Sequence, residues 1–227
     1  MDDLWRINLY PIGFIATFLF SMRFIIQWIV SEKNSKCIVP KAFWQLSLLA
    51  NIIMSIHTFI QLQYPLCIIQ GCNAVIAWRN LNFLQGETKL KTLRFTLHLF
   101  IFMIFWITAG FVCQSFFFVD GFIWLRAPVI PWGKQVEGAV PFHWQLLGIL
   151  GTLIFSLRFW VQWLEIEKKK ASILSASFWS WSLLGAILAF VYFLKIRDWV
   201  NLIGYGSGLI PYARNLVLIA QFKKISS

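Results

Sequence analysis

Long apolar runs separated by short polar segments dominate the chain. Seven are long enough for a helix to cross about 30 Å of hydrocarbon, which takes roughly 20 residues: 9–30, 42–61, 64–83, 94–119, 143–164, 176–195 and 199–221. Apolar positions within them are continuous rather than alternating, so the pattern predicts transmembrane α-helices and not the strands of a barrel. Composition agrees with this reading. Of 227 residues, 59% are hydrophobic and 13% charged, which leaves too little polar surface to cover a water-soluble core of this size. The first run follows Asp2 and Asp3 without a basic lead-in, carries Arg23 and lacks a small-residue cleavage site, so it is expected to be retained as a span.

The polar positions inside these runs repeat. Arg23-Phe24-x-x-Gln27-Trp28 returns as Arg158-Phe159-x-x-Gln162-Trp163. Glu32-Lys33, Phe43-Trp44, Ser47-Leu48-Leu49, Gly71 and Arg79-Asn80-Leu81 return at Glu167-Lys168, Phe178-Trp179, Ser182-Leu183-Leu184, Gly206 and Arg214-Asn215-Leu216. Each pair is 135 residues apart, so the copies align without a gap. Each copy supplies three runs, and the Phe-rich run 94–119 lies between them as a linker. An offset of four runs leaves the copies pointing the same way. The expected fold is an all-α integral membrane protein of seven transmembrane helices, arranged as two parallel three-helix bundles joined by a linker helix. This is the 3+1+3 symmetry of SWEET-type transporters. Three units are expected: 1–83, the linker helix and outer loop 84–142, and 143–227.

Charge sets the orientation. Eleven basic residues, from Lys33, Lys36 and Lys41 to Lys223 and Lys224, fall at one set of run ends, against five at the other, Arg6, Arg126, Lys134, Lys195 and Arg197. The richer end is expected to be cytoplasmic, which places the N-terminus outside and the C-terminus inside. Trp124, Trp132 and Trp144 are expected at the outer interface, and Phe43-Trp44 and Phe178-Trp179 at the cytoplasmic one. The net charge of +11 is read as membrane topology and attraction to anionic lipid rather than as a nucleic-acid surface, since most lysines sit at span ends.

Four arginines fall inside the runs: Arg23, Arg79, Arg158 and Arg214. Arg23 and Gln27 share a helix face, as do Arg158 and Gln162. Arg23 lies about 12 Å from the basic end at helical rise, where a guanidinium costs about 2.5–3.5 kcal/mol unless it faces protein, water or an anion. Two readings stand. Arg23 and Arg158 are anion ligands in a central cavity, suited to phosphate by their planar fork, or they bond free carbonyls and snorkel. Gln27 and Gln162 are glue between helices or part of that site. Arg79-Asn80 and Arg214-Asn215 are snorkelling anchors or a phosphate-binding rim. Glu32-Lys33 and Glu167-Lys168 read as solvated loop pairs or a docking point.

Gly204, Gly206, Gly208 and Pro211 permit a kink in the last run, where the first copy keeps only Gly71. Ser47, Ser182, Gly185 and Ala189 read as a packing seam. Cys37, Cys67, Cys72 and Cys113 read as apolar packers, and His57, His98 and His143 as isolated, hydrogen-bonded structural residues. The acids are expected in loops and tails. No catalytic constellation, metal cluster or cofactor site is legible, and no stretch is expected to form a soluble nucleotide-binding unit.

The pattern R-F-x-x-Q-W-x-x-x-E-K, then F-W-x-x-S, then R-N-L resembles the lipid A biosynthesis N-terminal domain family over about 10–82 and 145–217. That family is distantly similar to PQ-loop and SWEET repeats. Leu9-Tyr10-Pro11-Ile12-Gly13-Phe14 and Val39-Pro40-Lys41-Ala42-Phe43-Trp44 resemble the membrane region of the chlamydia-type lipid-A-disaccharide synthases. The resemblance implies a bacterial inner-membrane location and a membrane lipid partner, a lipid A precursor. It also implies association with a cytoplasmic glycosyltransferase domain that joins a nucleotide-linked diacylglucosamine to its monosaccharide phosphate. Three functions follow: a non-catalytic module that holds a phosphorylated acyl-glucosamine lipid or recruits the synthase, a SWEET-like transporter or flippase of an anionic glycolipid or sugar phosphate, and a membrane-embedded synthase.

Overall fold

The computed structural model describes residues 4–34, 38–85, 91–117, 121–122, 124, 126–132, 140–169 and 174–225. Lys36, Cys37, Lys89, Lys134 and Lys170 lie outside them, as does much of loop 120–142. The described residues form helices α1 (Leu4–Leu9), α2 (Ile12–Lys33), α3 (Lys41–Ile60), α4 (Tyr64–Phe83), α5 (Leu93–Phe117), α6 (Phe142–Lys169), α7 (Ala176–Lys195), α8 (Trp199–Gly206) and α9 (Leu209–Ile225), with no strand among them.

Among the described residues, five helical stretches are long and apolar enough to cross a membrane: Leu4–Lys33, Lys41–Ile60, Leu93–Phe117, Phe142–Lys168 and Ala176–Lys195. The other two expected runs differ for separate reasons. Helix α4 has the length, but its middle and end carry Gln70, Asn73, Arg79, Asn80 and Asn82, all buried. The last run is divided at Ser207 and Gly208 into α8 and α9, where glycine-rich chain meets Pro211. A side chain on Gly208 would collide with the Tyr212 ring. Pro11 similarly ends α1, because it has no N–H to donate and its ring clashes with the preceding turn.

Polar and apolar residues are placed the reverse of a water-soluble protein. Ile101, Phe102, Phe105 and Trp106 of α5 stand exposed, while Arg23, Gln27, Arg79, Arg158 and Gln162 are buried. An apolar perimeter around a polar interior is compatible with hydrocarbon as the surrounding solvent.

Contacts between the two copies come in exchanged pairs. Phe24 meets Trp179 with ring centroids 6.3 Å apart, and Trp44 meets Phe159 at 6.5 Å. Adding the repeat spacing to one member and subtracting it from the other converts the first contact into the second. The turns are duplicated too. Gln63 N–H bonds the Thr58 carbonyl and Leu62 N–H that of Phe59, and Asp198 bonds Phe193 and Arg197 bonds Leu194 in the same way. This double closure ends both helices with a left-handed residue, Leu62 and Arg197, each at φ 56°, where glycine is the usual occupant. Gln63 and Asp198 are equivalent positions and touch each other directly, Nε2 to Oδ2 at 3.0 Å. A residue in contact with its own equivalent lies at the two-fold relation between the copies, and isologous pairing is what such a relation produces.

The packing seam is present. Ser47, Ser182, Gly185 and Ala189 are buried, and Gly185 faces the Phe155 backbone closely enough that a β-carbon there would clash. Phe43, Trp44, Phe178 and Trp179 correct the interfacial expectation, since all four are fully buried. Their aromatic area goes to the junction of the copies, where rings meet edge to face. Cys67 and Cys72 are buried and Cys113 is exposed. His98 and His143 are exposed, whereas His57 is fully buried with both ring nitrogens unpartnered, contrary to the expectation of a bonded structural residue.

Candidate functional site

Arg23 on α2 and Arg158 on α6 converge on one cavity of about 40 Å³. That is room for roughly three waters at 10–15 Å³ each, or for one compact anionic group. Both side chains are buried, 3% and 0% exposed, so neither reaches the apolar perimeter. Phe20, Phe24, Phe155 and Phe159 form their aromatic surroundings: the Arg23 guanidinium carbon lies 4.6 Å from the centroids of Phe20 and Phe24, and that of Arg158 lies 4.6 Å from Phe159. Such contacts are worth about 0.5–2 kcal/mol each. Burying an unpaired ion costs several kcal/mol after relaxation. The rings soften the penalty and do not cancel it.

The two guanidinium groups are bonded differently. Arg23 Nη1 donates to Ser47 Oγ at 2.8 Å, while its Nε is unpartnered. Ser182, which donates to the Phe178 carbonyl as its equivalent Ser47 does to that of Phe43, takes nothing from Arg158, whose Nε and Nη1 both lack partners. Asn51, Gln70, Asn73, Asn201, Tyr205 and Tyr212 supply the other polar lining, and the lining contains no carboxylate. The cavity therefore presents two cations, spare N–H donors and no anion of its own.

The other six sequence candidates do not line this cavity. They bond across the copies at its basic end. Gln27 and Asn215 exchange amide bonds at 3.1 and 3.2 Å, and Gln162 and Asn80 at 2.8 and 3.3 Å. Arg79 forks onto Glu167, Nε to Oε1 at 2.7 Å and Nη2 to Oε2 at 3.0 Å. Arg214 Nε donates to Glu32 Oε1 at 2.7 Å. Each carboxylate also accepts from the indole one turn earlier, Trp28 for Glu32 at 2.9 Å and Trp163 for Glu167 at 3.0 Å. The repeated motif is thus an interlocking set in which residues of one copy find partners in the other. Two expectations are corrected here. Glu32 and Glu167 lie on helices rather than in loops, because α2 and α6 run past the apolar runs to Lys33 and Lys169. Their partners are arginines of the opposite copy rather than solvent.

Sequence reasoning missed a second polar cluster, at the opposite end of the cavity. Asp198 is fully buried and caps α8 by accepting from Asn201 N–H at 3.2 Å. It also accepts from Asn201 Nδ2 at 2.8 Å, Gln63 Nε2 at 3.0 Å and Tyr10 Oη at 3.4 Å. Its signal was an Asp three residues before Asn201 at a helix start, but Gln63 and Asp198 are unlike residues and so fall outside the repeated motif.

The Lipid A Biosynthesis N-terminal domain family matches residues 12–82 and again 147–217. Among curated proteins, the lipid-A-disaccharide synthase of Chlamydia felis is 39% identical over 218 residues, that of Chlamydia caviae 38% over 220, and that of Chlamydia trachomatis 37% over 218. Each alignment covers 96% of this chain and 34 or 35% of the relative, so the chain spans about a third of the length of the curated relatives it matches. No solved structure matches it. The two matches fall on the copies whose Arg, Gln, Glu and Asn positions interlock, and the chain belongs to the Lipid A Biosynthesis N-terminal domain family.

Proposed function

We propose that the chain is a multi-pass inner-membrane module of lipid A biosynthesis that holds a phosphorylated acyl-glucosamine lipid at the cytoplasmic face, where a lipid-A-disaccharide synthase catalytic domain acts. In this reading the units 1–83 and 143–227 are two parallel three-helix bundles, 84–142 is the linker helix and outer loop, and seven spans leave the N-terminus outside. Arg23 and Arg158 take the phosphate, and Gln27, Gln162, Arg79, Asn80, Arg214 and Asn215 close the basic end over it. The observation that carries the proposal is the convergence of two equivalent, incompletely bonded arginines on one cavity without a carboxylate.

Native-nanodisc purification followed by mass spectrometry of bound lipid tests it. Expected is a phosphorylated acyl-glucosamine enriched over bulk phospholipid, or co-purification of the synthase catalytic domain. Recovery of neither refutes the proposal.

A second reading, a flippase or transporter of the same anion, draws on the position of the cavity between two sets of inter-copy bonds. Thr17 to Val200 and Gln63 to Asp198 lie on one side, and the Arg–Glu and Gln–Asn pairs on the other. Alternating release of the two sets would open the cavity to each end in turn. Protein-dependent movement of labelled lipid across reconstituted vesicles is expected under this reading, and its absence counts against it.

A further inference from the structure

We infer that the central cavity selects a dianionic phosphomonoester over a singly charged phosphodiester, with Arg158 as the principal partner. The inference rests on the anion-site reading above and narrows its ligand class.

Charge balance is the first reason. Arg23 and Arg158 come from equivalent positions and line one cavity. The acids nearest to the interlocking arginines, Glu32 and Glu167, are already bonded to Arg214 and Arg79. Asp198 does not line the cavity, and its oxygens already accept from Asn201, Gln63 and Tyr10. Two buried cations are therefore left without an internal counter-charge, and a guest of charge −2 neutralises both. A phosphodiester leaves one of the two uncompensated in a low-dielectric interior, where an unpaired ion is most costly. The ordinary phospholipids of a bilayer are mostly diesters, so the same feature excludes the commonest competitor.

Hydrogen bonding is the second reason. A phosphomonoester offers three strong acceptor oxygens, against two free ones on a diester. Three nitrogens of the two lining arginines are unpartnered: Nε of Arg23, and Nε and Nη1 of Arg158. Two of the three belong to Arg158: Ser47 and Ser182 both donate to the carbonyl one turn earlier, but only Ser47 also accepts from its arginine. The copies share a motif yet assign its arginines unequal parts.

The test uses the full chain in nanodiscs and a matched pair of probes, dodecyl phosphate and its methyl ester, with inorganic phosphate as a third. At pH 7.5 dodecyl phosphate is expected to bind at least about tenfold tighter than the ester, since one uncompensated buried charge costs more than the 1.4 kcal/mol that equals a factor of ten. At pH 5 that preference should shrink, because a phosphomonoester gains a proton with a pKa of about 6 and the diester does not. The titratable lining groups are Arg23 from α2, Arg158 from α6, Tyr205 from α8 and Tyr212 from α9. Helices α3 and α4 contribute only neutral groups such as Asn51, Gln70 and Asn73. The described lining holds no histidine, the side chain whose charge ordinarily changes between about pH 5 and 8, so a change between pH 5 and 7.5 reports on the probe.

Inorganic phosphate binding as tightly as dodecyl phosphate would assign the site to a free anion, and much weaker binding would assign it to a lipid headgroup. Either result keeps the dianion. Equal binding of ester and monoester at pH 7.5, both abolished by Arg158→Ala, overturns the dianion while leaving the anion site standing. Binding of none of the three removes both. Arg158→Lys should weaken dodecyl phosphate more than Arg23→Lys does, and equal weakening overturns the assignment to Arg158. The preference of the unaltered protein needs no variant to fold.

Discussion

The two inter-copy ion pairs form a controlled experiment within one molecule. Arg79–Glu167 and Arg214–Glu32 occupy equivalent positions, have the same Nε–Oε1 distance of 2.7 Å, and share an indole donor to the carboxylate. Burial separates them. The Arg79 and Glu167 side chains are 2% and 15% exposed, against 37% and 38% for Arg214 and Glu32. Arg79 also donates to the Lys91 carbonyl and holds both carboxylate oxygens. Removing one partner of a buried pair leaves an uncompensated charge and costs about 3–5 kcal/mol, whereas the exposed pair is solvated and screened by salt. Glu167→Ala should therefore lower stability by about 3 kcal/mol, and Glu32→Ala by a clearly smaller amount that falls further at high salt. Each substitution also removes one indole bond, and that loss follows the same order, since Trp163 is buried and the Trp28 bond is exposed. The assay is denaturant unfolding in mixed micelles followed by tryptophan fluorescence. A double-mutant cycle with Arg79→Ala should recover part of the Glu167→Ala loss, because the double variant no longer buries a lone cation. Equal losses for the two glutamates, or a full additive loss in the cycle, would refute the claim that burial decides the strength of these contacts.

Further outcomes follow from particular positions. Gly185→Ala should destabilise by about 1–3 kcal/mol, since its β-carbon meets the Phe155 backbone rather than a movable side-chain tip. Ala50, the equivalent residue on α3, already carries that carbon, so Ala50→Gly should be the milder change in thermal unfolding. Arg197→Gly should stabilise by up to about 1 kcal/mol by relieving the left-handed backbone at φ 56°; a lower midpoint would count against strain at that turn. Asn80→Ala should cost about 1–3 kcal/mol by orphaning the buried Gln162 amide, and Gln162→Leu in the same background should restore part of it.

The candidate site was half legible in the chain. The repeat singled out Arg23, Arg158, Gln27, Gln162, Arg79, Asn80, Arg214 and Asn215 because a polar residue inside an apolar run is costly enough to need a partner, and duplication makes the pattern unmistakable. Which of them touch each other was not legible. Gln27 and Asn215 are 188 residues apart, and no local rule pairs them. The cavity lining, the buried Asp198 cluster and the burial of Trp44 and Trp179 also arise only when the copies are set side by side. Asp198 in particular sits opposite an unlike residue, Gln63, so comparing the copies passed over it.

Run length and hydropathy determined that the chain is helical and the approximate course of its helices, because a helix satisfies its own backbone, but not the break between α8 and α9 or the extension of α2 and α6 beyond the apolar runs. Repetition determined that the protein is built of two similar parts. The tertiary structure decided that four of the duplicated polar positions become two glutamine–asparagine pairs, that four more become two ion pairs of unequal burial, and that Arg23 and Arg158 line the central cavity. Those outcomes depend on distances between residues far apart in sequence, and such distances exist only once the two copies have packed.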